Sequence, residues 1–156
     1  MSKLNLSIPY VHHLAGNIPS VVNDLCLSAK QATALSYAPY SKFHVGASAR
    51  LTNGKIIQGA NMENAAYPQC LCAEAVLLGS LHSQHPGQRI DAIGIAVTSP
   101  GRELKGVAAP CGSCRQQLFE AENRQGAPIK LYLLAANGDV FEFADMKSLL
   151  PFGFVL

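Results

Sequence analysis

An α/β fold, with a five-stranded mixed sheet and helices on both faces, is predicted by three observations. Helical and strand-like segments follow one another in the order α-β-β-α-β-α-β-β, which lets helices cover a sheet. The stretch RIDAIGIAVTS, residues 89–99, is a continuous apolar run of strand length, as expected of a strand buried on both faces. Two cysteine-bearing stretches, CAEA (72–75) and PCGSCRQ (110–116), stand where helices should begin.

Residues 1–17 read as an N-terminal arm, followed by a single domain over 18–156. A helix is predicted from about 18 to 36, with Asn17 as a candidate N-cap and Pro19 in the first turn. Its apolar residues Val21, Val22, Leu25, Ala29 and Ala32 recur at helical spacing, and Cys26 reads as core. Val45, Ala47, Ala49 and Leu51 then alternate up to Asn53-Gly54, a strong hairpin signal. A helix over about 72–83 follows, carrying Ala73, Val76, Leu77 and Leu81. After the apolar strand, CGSCRQQLFEAENR gives the third helix. IKLYLLAANGDVFEF gives two strands joined at Asn137-Gly138.

Composition narrows the function. Hydrophobic residues make up 49% of the 156 and charged ones only 14%, a sparsely charged surface that points to burial in an oligomer. A net charge of +2 and the lack of a Lys/Arg run argue against nucleic acid as partner. The N-terminal stretch reads as neither a secretory signal nor a membrane span. The five cysteines (26, 70, 72, 111, 114) are odd in number and mostly clustered, which suits metal binding in the cytoplasm better than a disulfide framework.

Cys111 and Cys114 are spaced to bring both sulfurs to one side of a first helical turn, and Cys72 stands at the start of another helix. Helix N-termini favour thiolates, and three converging thiolates suit Zn²⁺ with a fourth position left for water. A closed structural site, with Cys70 or His44 as fourth ligand, is the alternative on spacing alone. Glu74 counts against it. A carboxylate beside three thiolates adds charge with no structural return, but has a purpose if it moves protons.

C-x-E followed by P-C-x-x-C is the pattern of zinc deaminases of cytosine and adenine. The stretches PYSKFHVGA (39–47), NMENAAY (61–67), CAE (72–74), PCGSCRQ (110–116) and LLPFGF (149–154) together resemble cytidine deaminases of the small, homotetrameric class. The resemblance runs from about residue 20 to the end and implies the three-layer α/β/α sandwich of that family. It also implies zinc-dependent hydrolysis of cytidine and deoxycytidine to uridine and deoxyuridine, without nucleic acid or membrane. Position by position, Cys72, Cys111 and Cys114 would hold zinc and Glu74 would carry protons. Asn61 and Glu63 would bind the ribose 3′-hydroxyl, Phe43 would pack on the nucleoside, and the Ala73 N–H would meet cytosine O2. Ala65, Tyr67 and Phe154 match positions that reach a neighbouring subunit's site.

One feature departs from the family pattern. Ala75 stands where the family usually has an arginine bonded to the zinc thiolates, which leaves Arg115 as a possible substitute. The same absence, with the Leu-Leu-Pro-x-Gly-aromatic ending, also resembles blasticidin-S deaminase. A catalytically dead, zinc-stabilised oligomer is a further alternative, disfavoured by the intact Cys-x-Glu.

Overall fold

The computed structural model describes Lys3, residues 5–104 and residues 106–156. Here the chain enters its sheet early, because Val11–His13 form strand β1. There follow α1 (Ser20–Ala32), the hairpin β2 (His44–Leu51) and β3 (Ile56–Ala60), α2 (Ala73–Gln84), β4 (Ile90–Thr98), α3 (Gly112–Gln125), β5 (Lys130–Leu134) and β6 (Val140–Phe143). The sheet is mixed, in the order β1-β6-β5-β4-β2-β3, with β4 and β5 parallel and every other pair antiparallel. It therefore has six strands where the sequence predicts five.

The added strand covers an edge that β6 would otherwise leave open. Three residues, Val-His-His, carry no alternation that could announce it. Partners supplied by β6 and the turn before it hold it instead. His12 pairs with Asp139 at 2.9 Å and His13 with Glu142 at 2.8 Å. The Ala15 N–H donates to Asp139 Oδ1 at 2.8 Å, and the Tyr10 ring lies against Phe141 and Phe143.

Burial alone would raise Glu142. Hydrogen bonds from His13 and Lys130 outweigh it and hold the carboxyl below its ordinary value of 4.5. A depressed carboxyl stabilises the fold above its unfolded value, and that contribution is lost as pH falls through the folded one. Glu142→Gln should therefore lower stability at neutral pH by about 1 kcal/mol. Thermal melts should show the difference from wild type vanishing in acid. A constant difference at every pH would locate the effect in packing.

Helix α1 covers one face of the sheet, where Val22, Leu25 and Cys26 meet Ala92, Tyr132 and Val140. Burial pushes the Cys26 thiol up to about 12, in keeping with a packing role. The helix is shorter than predicted. Pro19, in place of Asn17, stands at its N-cap, and beyond Ala32 the chain tightens into a 3₁₀ turn over Thr33–Leu35.

Helices α2 and α3 cover the other face, where Leu77, Leu81 and Leu118 pack on Ile93, Ile95 and Leu131. The alternation along β4 explains this. Ile93 and Ile95 point to α2 and α3, while Ala92 points to α1. Gly59 lets α2 lie directly on β3, since a Cβ there would come within 2.6 Å of the Leu77 nitrogen. The helix start that carries Cys72 and Glu74 is set by that contact.

Candidate metal and substrate site

The starts of α2 and α3 come together beside the β2–β4 end of the sheet. Cys72 is the N-cap of α2 and Cys111 the N-cap of α3. Cys114, one turn into α3, is buried, and its N–H donates to Cys111 Sγ at 3.5 Å. The three sulfurs all lie within 4.8 Å of one another, with Cys72 and Cys111 4.0 Å apart. Tetrahedral zinc with bonds of about 2.3 Å sets its thiolates roughly 3.8 Å apart, so a small contraction seats the ion.

Electrostatics point the same way. Burial raises Cys72, and burial together with the Glu74 charge raises Cys114. Burial also acts upward on Cys111, but N–H groups of Cys114 and Ser113 and the neighbouring thiols outweigh it and hold that thiol low. Three sulfurs this close cannot all ionise unaided. A divalent cation removes the conflict, and the donor set fits zinc. Among the described residues no other His/Cys/Asp/Glu group of three could hold a metal.

Glu74, in the first turn of α2, is 4% exposed. Burial raises its carboxyl above the ordinary value, with a hydrogen bond from Cys114 acting the other way. A buried carboxyl with a raised pKa is suited to taking and returning protons near neutrality. Ala73 is the first residue of α2, so its N–H has no acceptor within the helix and is free to meet a ligand.

A cavity of about 620 Å³ opens onto these groups, large enough for a small ligand. Phe43, Asn61, Glu63 and Ala73 line it together with Glu74 and the three cysteines. Asn61 is a bracket for this wall. Its Oδ1 accepts from Ser36 Oγ at 2.6 Å and from the Val45 N–H at 2.8 Å, and its Nδ2 donates to the Phe43 carbonyl at 2.9 Å. One amide hydrogen is left for a ligand.

Glu63 Oε2 accepts from the N–H groups of Tyr40 and Ser41, at 2.9 and 3.3 Å. A hydrogen bond from the Ser41 side chain is the chief reason its carboxyl lies below the ordinary value. Both backbone N–H groups bond to Oε2, so Oε1 keeps lone pairs that can accept from a ligand.

The remaining sequence candidates lie outside this cavity. Ala65 and Tyr67 are exposed, with Tyr67 lining a neighbouring hollow beside Tyr40 and Glu63. Phe154 is 65% exposed. Conversely, the cavity includes Arg102 and Val97, which sequence reasoning left without a role. No motif marks them, because they arrive from loops and strand ends that only the fold brings here. Cys70 does not close the metal site. Its Sγ is engaged by the Asn64 backbone, accepting from the N–H at 3.2 Å. Arg115 is engaged by backbone carbonyls rather than by the sulfurs, since Nε donates to the Pro110 carbonyl at 2.9 Å and Nη1 to the Leu149 carbonyl at 3.1 Å.

Comparison with known proteins agrees with the geometry. A family model for the cytidine and deoxycytidylate deaminase zinc-binding region matches residues 20–126. The cytidine deaminase of Halalkalibacterium halodurans is 39% identical over 83% of this chain and 91% of its own length. That of Sporosarcina psychrophila is 36% identical over 85% and 90%. The crystal structure of cytidine deaminase from Burkholderia pseudomallei superposes with a TM-score of 0.72 at 38% identity, covering 85% of this chain and 98% of that one. The chain belongs to the cytidine and deoxycytidylate deaminase family.

Proposed function

We propose that the protein hydrolyses the 4-amino group of cytidine and deoxycytidine, yielding uridine or deoxyuridine and ammonia, and that zinc is its cofactor. The observation that carries this reading is the meeting of three cysteine sulfurs and one buried carboxyl at the floor of a nucleoside-sized cavity. Zn²⁺ on Cys72, Cys111 and Cys114 would supply a Lewis acid able to lower the pKa of water from 15.7 toward about 7.

The chain's own residues do the rest. Glu74 takes a proton from the attacking water and delivers it to N3 of the cytosine, which makes C4 electrophilic. It then carries a proton to the departing amino group. The Ala73 N–H holds O2 and orients the ring. The free amide hydrogen of Asn61 and the Oε1 of Glu63 take opposite roles toward the 3′-hydroxyl, one donating and one accepting. Phe43 packs on the nucleoside and keeps water from that side.

A homotetramer with shared sites belongs to the same reading. It is supported by Ala65, Tyr67 and Phe154 lying outside their own chain's cavity, and by exposed apolar side chains such as Leu35 and Phe152. Sedimentation should find a tetramer, and an active monomer would contradict it. Within the arm over 1–17, Val11–His13 then serve as an edge cover for a single catalytic domain over 18–156. Among the described residues no helix is long and apolar enough to cross a membrane, and the reading takes the protein to work in the cytoplasm on small molecules.

The substrate test is a spectrophotometric assay of cytidine, deoxycytidine, cytosine and blasticidin S at matched enzyme. Turnover of the two nucleosides is expected. Turnover of blasticidin S alone would assign the site to a modified cytosine.

Ala75 gives a second test. With Arg115 held by two backbone carbonyls, no arginine among the described residues hydrogen-bonds the sulfurs. Ala75→Arg should therefore move the rising limb of the pH–rate profile to lower pH, since partners of metal ligands matter by about 10–100-fold. An unchanged profile with a lower melting temperature would mean that the helix N–H groups already suffice.

A further inference from the structure

We propose that Gln116 is a positioning residue for substrate binding, fixing the Phe154 backbone so that its ring is presented to the site of a second copy of the chain. This rests on the reading of Phe154 given above and adds the group that holds it. Gln116 uses both ends of its side-chain amide on one residue. The Phe154 N–H donates to Gln116 Oε1 at 3.0 Å, and Gln116 Nε2 donates to the Phe154 carbonyl at 2.9 Å. Both backbone polar groups of Phe154 are thus held by a helix residue 38 positions earlier in the chain.

The segment leading to Phe154 is anchored step by step on the same helix. The Leu149 side chain is buried in the core, and its carbonyl accepts from Arg115. Gly153 lies on the Phe119 ring, where a Cβ would come within 2.9 Å of the ring carbons. Phe152 holds a left-handed φ of +60°, a conformation a bulky residue adopts only when its surroundings impose it. The Gln116 pair closes this hook.

What the hook presents is an aromatic ring still 65% exposed, whereas Phe119, beneath Gly153, is 7% exposed. A tie serving packing alone would bury the ring it holds. Backbone fixed and ring free is the arrangement of a group prepared for a partner, because ordering it beforehand removes that entropy loss from binding. Gln116 follows Cys114 by two residues on α3, so the helix that carries two sulfurs also fixes the tail.

The test compares Gln116→Ala, Gln116→Glu, Phe154→Ala and the double variant Gln116→Ala/Phe154→Ala in the zinc-loaded full chain. Glutamate keeps the size and the acceptor but cannot donate to the Phe154 carbonyl, so it probes the clamp without removing the side chain. Two hydrogen bonds translate to a KM for cytidine raised roughly 5- to 30-fold, with kcat and zinc content near wild type. Hydrogen exchange should show the Phe154 amide losing protection. The double variant should have the KM of Phe154→Ala alone, since Gln116 acts only through that ring.

Phe154→Ala raising KM while both Gln116 variants leave it unchanged would overturn the role of Gln116 and keep that of Phe154. A normal KM in Phe154→Ala would overturn both. Additive effects in the double variant, or loss of zinc in the Gln116 variants, would make Gln116 a structural residue only. Co-expression of Gln116→Ala with Glu74→Gln subunits should restore a low KM in mixed oligomers. Failure to restore it would place Phe154 in its own subunit's function and overturn presentation to a second copy.

Discussion

Glu74→Gln is expected to lose at least the 10²–10⁴-fold that a general acid–base group contributes, and more if every proton transfer passes through it. Zinc content and fold should be retained, because the amide has the carboxyl's shape and Glu74 is outside the set of three sulfurs. The metal-free proteins offer a separate readout. Burial raises the Glu74 carboxyl. A carboxyl whose folded value is raised favours the fold only where it is protonated, and stability is lost as pH rises through that value. Metal-free Glu74→Gln should therefore be at least as stable as metal-free wild type at neutral pH. Near-normal turnover in the zinc-loaded variant would remove Glu74 from proton transfer.

The second large effect follows from Cys114→Ala. Cys114 is 1% exposed, between the starts of α2 and α3, and its loss leaves two sulfurs. Metal analysis should fall from one zinc per chain toward none, and turnover should fall to the uncatalysed background. Stability should drop as well, because binding energy in such a site is folding energy. Zinc at a thousandfold excess over its Kd stabilises by about 4 kcal/mol. For a domain of this size that corresponds to roughly 8–16 °C in melting temperature. The deficit should shrink when wild type is stripped with a chelator. A variant that kept full zinc would mean another group had taken the third position.

Both predictions concern residues that could be read from sequence, and the reason is local. Cys72, Glu74, Cys111 and Cys114 lie at two helix starts that Pro110 and the following apolar spacing announce. The hairpin at Asn53-Gly54 and the doubly buried β4 were legible for the same reason, since turn chemistry and apolar runs act over a few residues.

Long-range ties were not legible. The three side-chain hydrogen bonds of Asn61 join it to residues 36, 43 and 45, and no pattern near Asn61 foretells them. β1 is three residues long, and its partners, Asp139 and Glu142, come more than a hundred residues later. Arg115 could have been directed to the sulfurs or away from them, and only the position of the Leu149 carbonyl decides. Sequence marks where chemistry can occur. Packing decides which neighbours complete it.

Zinc dependence of deamination is tested most directly by titrating metal-stripped protein with Zn²⁺ while following cytidine conversion and bound metal together. Activity should rise in proportion to bound zinc and reach its plateau at one ion per chain. Full turnover before any zinc is bound, or none at one zinc per chain, would contradict the reading of Cys72, Cys111, Cys114 and Glu74 as one hydrolytic centre.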